Sequence, residues 1–114
     1  MSNRLGGLQY TIIILTLITA AIHLFLGIQS LSEGFGAIFI LNGIGYLVLI
    51  VALYFVPQLA AQRSLMRWLL LAYTAVTFIL YFVFNWPDVW GPVGLIDKAV
   101  ELVLIVLLFL DRKN

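Results

Sequence analysis

Four long apolar stretches, at residues 8–29, 35–56, 65–86 and 93–110, alternate with three short polar breaks. Each stretch runs about 17 to 22 residues, enough at about 1.5 Å per residue to cross a hydrocarbon core of roughly 30 Å. The breaks have ordinary causes. "SLSEG" (Ser30 to Gly34) offers polar residues and a glycine for a turn, "PQLAAQRS" (Pro57 to Ser64) removes a backbone donor and adds charge, and "NWPDVWGP" (Asn85 to Pro92) holds two prolines. Pro92 suits the first turn of a helix, where its missing N–H is not needed. Lipid offers no hydrogen bonds to open backbone, so the pattern predicts helices. The expectation is an all-α fold: a single transmembrane domain over 1–114, built as an antiparallel four-helix bundle running up-down-up-down. Arg4 and the small residues Thr19 to Ala21 imitate a signal peptide, but the apolar run continues to Ile28, which makes it a retained first span. No internal repeat aligns.

Within each span the polar and small positions recur at three or four residues and so share one helical face. The first groups Thr16, Thr19, Ala20, His23 and Gly27; the second Asn42, Gly45 and Tyr46; the third Tyr73, Thr74, Thr77 and Tyr81; the fourth Gly94, Asp97 and Glu101, with Lys98 one position round. These faces are expected to point into the bundle. Counted from the outer ends, His23, Asn42, Thr77, Tyr81, Lys98 and Glu101 all fall roughly 8 to 14 Å deep. On the other side of Glu101 the chain reads "LVLIVLLFL" and the facing half of the second span "LVLIVAL", with Thr16 alone placed to help a polar route. The pattern predicts a cup open outward rather than a pore.

Composition agrees with a membrane location. The chain is 64% hydrophobic and 10% charged, with a mean hydropathy of +1.15, far too little polar surface for a soluble globule. A net charge of +1 points to no nucleic-acid partner. The absence of cysteine excludes disulfides, thiolate metal sites and thiol nucleophiles. Basic residues decide orientation: Arg4, Arg63, Arg67, Arg112 and Lys113 all lie on one side, and the first and third breaks carry none. That side is expected to be cytoplasmic, with both termini there in a multi-pass protein of the cell membrane. Tyr10, Tyr54 and Trp68 flank that side, and Trp86 and Trp90 the other, as an aromatic belt requires.

Each polar residue also has a structural reading. His23 alone on an inward face is an ordinary hydrogen-bonded packer, and Thr16, Thr19, Thr74 and Thr77 are helix packers whose hydroxyls close on backbone carbonyls. Asp97 and Lys98 are explained by a helix start near the interface, where Asp97 meets the helix N-terminal field and Lys98 snorkels outward. Glu101 lies a turn deeper on a short side chain and needs a partner, either Lys98 or His23. His23 with Asp97 and Glu101 is conceivable as a weak metal site; one histidine does not make a typical one, and no metal is assigned. No serine nucleophile accompanies the pair, since Ser30, Ser32 and Ser64 fall in connections, and a catalytic role is not assigned.

The segments "AAIHLFLGI", "FILNGIGYLVLIVAL", "YTAVTFILYFVFN" and "PVGLIDKAVELVLIVLLFL" together resemble a group of small four-span membrane proteins, functionally uncharacterised as a family and common in archaea, haloarchaea above all. The resemblance covers nearly the whole chain; His23, Asn42 with Gly43, and the Asp97 Lys98 pair carry its more specific part. Architecturally the chain is also similar to DoxX-like four-helix membrane proteins, some of them subunits of quinone-linked oxidoreductases. The first resemblance implies fold and membrane location; the second makes such an oxidoreductase subunit one alternative function.

These readings converge on a small non-catalytic binding or accessory subunit. Its outward cavity, for a lipid, quinone or other small polar headgroup, is expected to use His23, Asn42, Thr77, Tyr81, Lys98 and Glu101, with Asp97 and Tyr46 secondary. A larger membrane complex or a homo-oligomer is the expected setting beyond the bilayer itself. The alternative from another class is proton-coupled transport of a small solute by Glu101 and His23, which requires a polar route through the cytoplasmic half.

Overall fold

A computed structural model describes residues 5–111. Arg4, Arg112 and Lys113, three of the orientation signals, lie outside the described residues. The described chain is helical: α1 (Gly7–Gln29), α2 (Gly36–Tyr54), α3 (Arg63–Asn85) and α4 (Pro92–Leu110), with short 3-10 turns at Leu31–Glu33 and Pro57–Gln62. The helices lie within two residues of the predicted spans and pack into a body 48 × 22 × 19 Å in extent. α1, α2 and the segment Pro57–Asn85 are long and apolar enough to cross a membrane. α4 is of similar length, but Asp97, Lys98 and Glu101 fall within it.

Local chemistry sets the boundaries. Gln9 folds back so that the Gly6 N–H donates to its Oε1 at 2.8 Å, satisfying a donor the first turn of α1 leaves open. After Ser30 the chain tightens through its 3-10 turn and reverses at Gly34, whose φ of 86° is open to glycine at little cost. Pro57 ends the extended break after α2, and Pro92 opens α4.

The α1–α2 seam is closed by small residues. A Cβ on Gly27 would stand 2.6 Å from the Ile40 side chain and 2.8 Å from the Gly36 carbonyl oxygen, and one on Gly43 would stand 2.9 Å from the Ala20 carbonyl oxygen. Close backbone approach of this kind is how helices associate where lipid supplies no hydrophobic drive. Gly36→Ala, whose new Cβ would meet backbone at 2.5 Å on two sides, is therefore expected to cost about 1–3 kcal/mol. Gly91→Ala, which meets nothing within 4 Å, serves as the control. The thermal midpoints of the two variants in detergent micelles test the seam; equal midpoints would argue against it.

Outward-facing positions are apolar along all four helices, among them Phe25 (57% exposed), Leu41 (67%), Val83 (64%) and Ile96 (60%). The buried interior is the unusual part. It contains an apolar layer of Ile12, Ile50, Leu53, Leu70, Leu104 and Leu108, and on either side of that layer a buried polar centre.

Candidate functional site

The first centre lies toward the end that carries the α1–α2 and α3–α4 connections. Thr19 and His23 come from α1, four residues apart on one face; Tyr46 comes from α2; Asp97, Lys98 and Glu101 come from one turn of α4. Glu101 and Thr19 are fully buried, and Asp97, Lys98 and His23 are at most 6% exposed. His23 Nε2 lies 3.6 Å from Asp97 Oδ2 and 3.9 Å from Glu101 Oε2. The Lys98 ammonium contacts Glu101 Oε1 directly and Asp97 Oδ2 at 3.4 Å. Tyr46 donates to Glu101 Oε2 at 2.9 Å, and Thr19 donates to Asp97 Oδ1 at 2.6 Å. The Lys98 ammonium also stands 4.9 Å from the Tyr81 ring centroid, so α3 closes the centre with an aromatic face. Tyr81 is held in turn by its hydroxyl, which donates to the Val89 carbonyl at 2.7 Å.

Charge is the chemically telling property. Two carboxylates and one ammonium leave a single negative charge in a site with almost no water contact, which a low-dielectric interior penalises steeply. A proton on His23 or on a carboxyl, or a bound cation, balances it.

His23, Lys98 and Glu101 thus come together with the secondary residues Asp97 and Tyr46, and Tyr81 joins through its ring. Asn42 and Thr77 stand apart from the charged groups, Thr77 beside the Tyr46 hydroxyl. Asn42 donates to Thr77 Oγ1 at 3.0 Å, and both line a largely apolar α2–α3 groove of about 570 Å³ with Leu49, Leu69, Tyr73 and Leu80. Three further expectations are corrected. Lys98 does not snorkel outward and Asp97 is not left to the helix N-terminal field: they are 4% and 3% exposed, because Glu101 and Thr19 give them partners inside. Thr19 is not a simple packer either, since its hydroxyl goes across the bundle to Asp97. Thr16 and Thr74 do behave as packers, donating to the Ile12 and Leu70 carbonyls at 2.7 Å. An open cup is also not what forms, because the cluster's polar atoms face one another.

A second centre lies beyond the apolar layer and was not among the predicted site residues. Asp111 accepts from Arg67 Nε at 3.0 Å, from the Tyr54 hydroxyl at 2.6 Å and from Gln9 Nε2 at 2.6 Å, joining all four helical segments at one carboxylate. Arg67 is 1% exposed, Asp111 is fully buried and Tyr54 is 8% exposed, so Tyr54 does not belong to an aromatic belt. Arg63 stays nearer the surface, donating to the Leu53 carbonyl with its guanidinium 5.7 Å from the Tyr54 ring centroid. One signal was available in the sequence: Arg67 falls inside the third apolar stretch, where a cation needs a partner.

Set against known protein families, curated proteins and solved structures, the chain matches none.

Proposed function

We propose that the chain is a small integral protein of the cell membrane that acts as a non-catalytic binding or accessory subunit, holding a small polar headgroup at the His23–Glu101 centre. The bundle is antiparallel and up-down-up-down with both termini cytoplasmic. The order of interhelix contacts supports the alternation: Gln9 meets Asp111 while Thr19 meets Asp97, and Tyr46 meets Glu101 while Tyr54 meets Asp111. Arg63, with Arg4, Arg112 and Lys113 in the sequence, supports the orientation.

The observation that carries the reading is the apolar layer that separates the centre from the other end of the bundle. Between the centre and the Arg67–Asp111 pair stand Ile12, Ile50, Leu53, Leu70, Leu104 and Leu108, each at most 2% exposed. A conduit for protons or solutes needs polar groups or water through that layer, and the hydroxyls of Thr16 and Thr74 are spent on their own helices. A dead-end site favours binding over passage. The charge count narrows the ligand, since an anionic phosphate brought to Asp97 and Glu101 meets like charge. A neutral quinone ring or an amine headgroup, which can take the place of the Lys98 ammonium, meets none.

The test is purification of the protein from native membranes with extraction of what it holds. A quinone or an amine lipid is expected in near-stoichiometric amount with the wild type and much less with a folded Glu101→Gln/His23→Ala double variant. In proteoliposomes carrying an internal pH dye, proton flux should match protein-free vesicles. Flux that Glu101→Gln abolishes would replace this reading with transport, and equal extraction from both proteins would remove the centre as the site.

A further inference from the structure

The orientation of one imidazole points to a ligand of a different class. His23 Nδ1 lies 2.8 Å from the backbone carbonyl oxygen of Thr19, which can only accept, so Nδ1 carries the hydrogen. In the neutral ring Nε2 is then a bare lone pair. His23 as a residue is 6% exposed, and its Nε2 faces Asp97 Oδ2 at 3.6 Å and Glu101 Oε2 at 3.9 Å, two further acceptors. Facing acceptors of this kind are reconciled by a shared proton or by a cation, and beside the Lys98 ammonium, 3.4 Å from Asp97 Oδ2, the imidazole lone pair offers the cation a nitrogen ligand.

We infer that His23 Nε2, Asp97 Oδ2 and Glu101 Oε2 form a binding site for a divalent first-row transition ion, with the Lys98 ammonium as its built-in competitor. One donor atom from each of the three residues lies within 4.8 Å of the others. A tetrahedral ion with ligands at about 2.0–2.2 Å sets them roughly 3.4 Å apart, so small side-chain shifts close the site. One imidazole nitrogen with two carboxylate oxygens is a donor set for zinc, manganese or iron rather than for magnesium or calcium. The surroundings are those of a metal site as well: the ligating histidine donates its other N–H to a backbone carbonyl, and each carboxylate is steadied by a hydroxyl, Asp97 by Thr19 and Glu101 by Tyr46.

Lys98 decides when the ion enters. Two carboxylates and a divalent ion are neutral together, whereas the same set with Lys98 still in place is a buried positive charge. The ion therefore displaces the ammonium. Lys98 stands six residues into α4, roughly 9 Å from the helix start, a distance its long stem can largely span by turning toward that end.

The inference rests on the reading above only in taking this centre for a ligand site, and it is tested with metal alone. Purified full-length protein in detergent, stripped with chelator, is titrated calorimetrically with Zn²⁺ and spectroscopically with Co²⁺, whose visible bands report an imidazole–carboxylate shell. Wild type is expected to bind one ion per chain, Lys98→Met to bind it at least tenfold more tightly, and Lys98→Met/His23→Ala to lose both the heat and the bands. A folded Lys98→Met protein that binds no ion, or binds it no better than the double variant, overturns the site. Should Lys98→Met fail to fold, the Zn²⁺-induced rise in thermal midpoint is compared between wild type and His23→Gln, and equal rises overturn it. Failure here with a quinone or lipid still extracted leaves the headgroup reading standing; metal binding without a headgroup does the reverse.

Discussion

Asp111→Ala is expected to lower stability by about 3–5 kcal/mol, the range for breaking a buried ion pair by removing one partner. The carboxylate is fully buried and accepts from Arg67, Tyr54 and Gln9, residues of three different helices, while Asp111 itself follows the last residue of α4. Its loss takes the carboxylate from a guanidinium that is 1% exposed and leaves a tyrosine hydroxyl and an amide without their acceptor. Asp111→Asn is expected to cost less, because the amide oxygen still accepts while only the charge is lost. An Arg67→Met/Asp111→Leu double variant should recover most of the loss, since apolar side chains of similar volume often replace a buried pair at little net cost. Unfolding in a graded series of SDS micelles, followed by far-ultraviolet circular dichroism, measures all three. A loss below about 1 kcal/mol for Asp111→Ala, the range of a solvent-exposed pair, would show that this centre does not hold the four segments together.

The contrast between the two centres explains what the sequence made legible. Hydrophobic runs and proline positions located the four helices closely, because bilayer length and lost backbone donors act on each segment alone. Periodicity also chose the inward faces of α1 and α4 correctly, since His23 and Glu101 both point inside. It could not say which neighbour each face meets. Depth along the axis put Asn42 level with His23, but Asn42 turns to Thr77 on α3 while Tyr46, one turn on, reaches Glu101. Asp97 looked like a plain helix start for the same reason: its hydrogen bond comes from Thr19, 78 residues away in the chain on another helix. Arg67 carried an adequate local explanation as a topology signal, and nothing local gave Asp111 a role. Only the fold shows that the two form one ion pair.

The first centre makes a sharper demand, because with its carboxyls ionised it is short of positive charge, whereas among the described residues the second pairs one carboxylate with one guanidinium. With His23 neutral and both carboxyls ionised, the wild-type cluster of Asp97, Glu101 and Lys98 carries one negative charge, Lys98→Met two, Glu101→Gln none, and the double variant Lys98→Met/Glu101→Gln one. Lys98→Met is therefore expected to be the severe change, costing about 3–5 kcal/mol without metal, because two buried carboxylates lose the ammonium that contacts both. Glu101→Gln is expected to cost less than about 1 kcal/mol, although Glu101 is the deeper residue and fully buried. Its amide oxygen can still accept from Tyr46, Lys98 keeps Asp97, and the excess charge is gone. Adding Glu101→Gln to Lys98→Met should restore roughly 2 kcal/mol or more, a coupling within the range seen for residues in one network. The same SDS titration in the presence of chelator measures the cycle. If Glu101→Gln proves the costlier single change, the centre is not short of positive charge, and neither a cation nor an amine has a reason to bind there. If the predicted order holds, adding Zn²⁺ to Lys98→Met should return stability that Glu101→Gln otherwise supplies, because a metal ion and a lost carboxylate charge relieve the same excess.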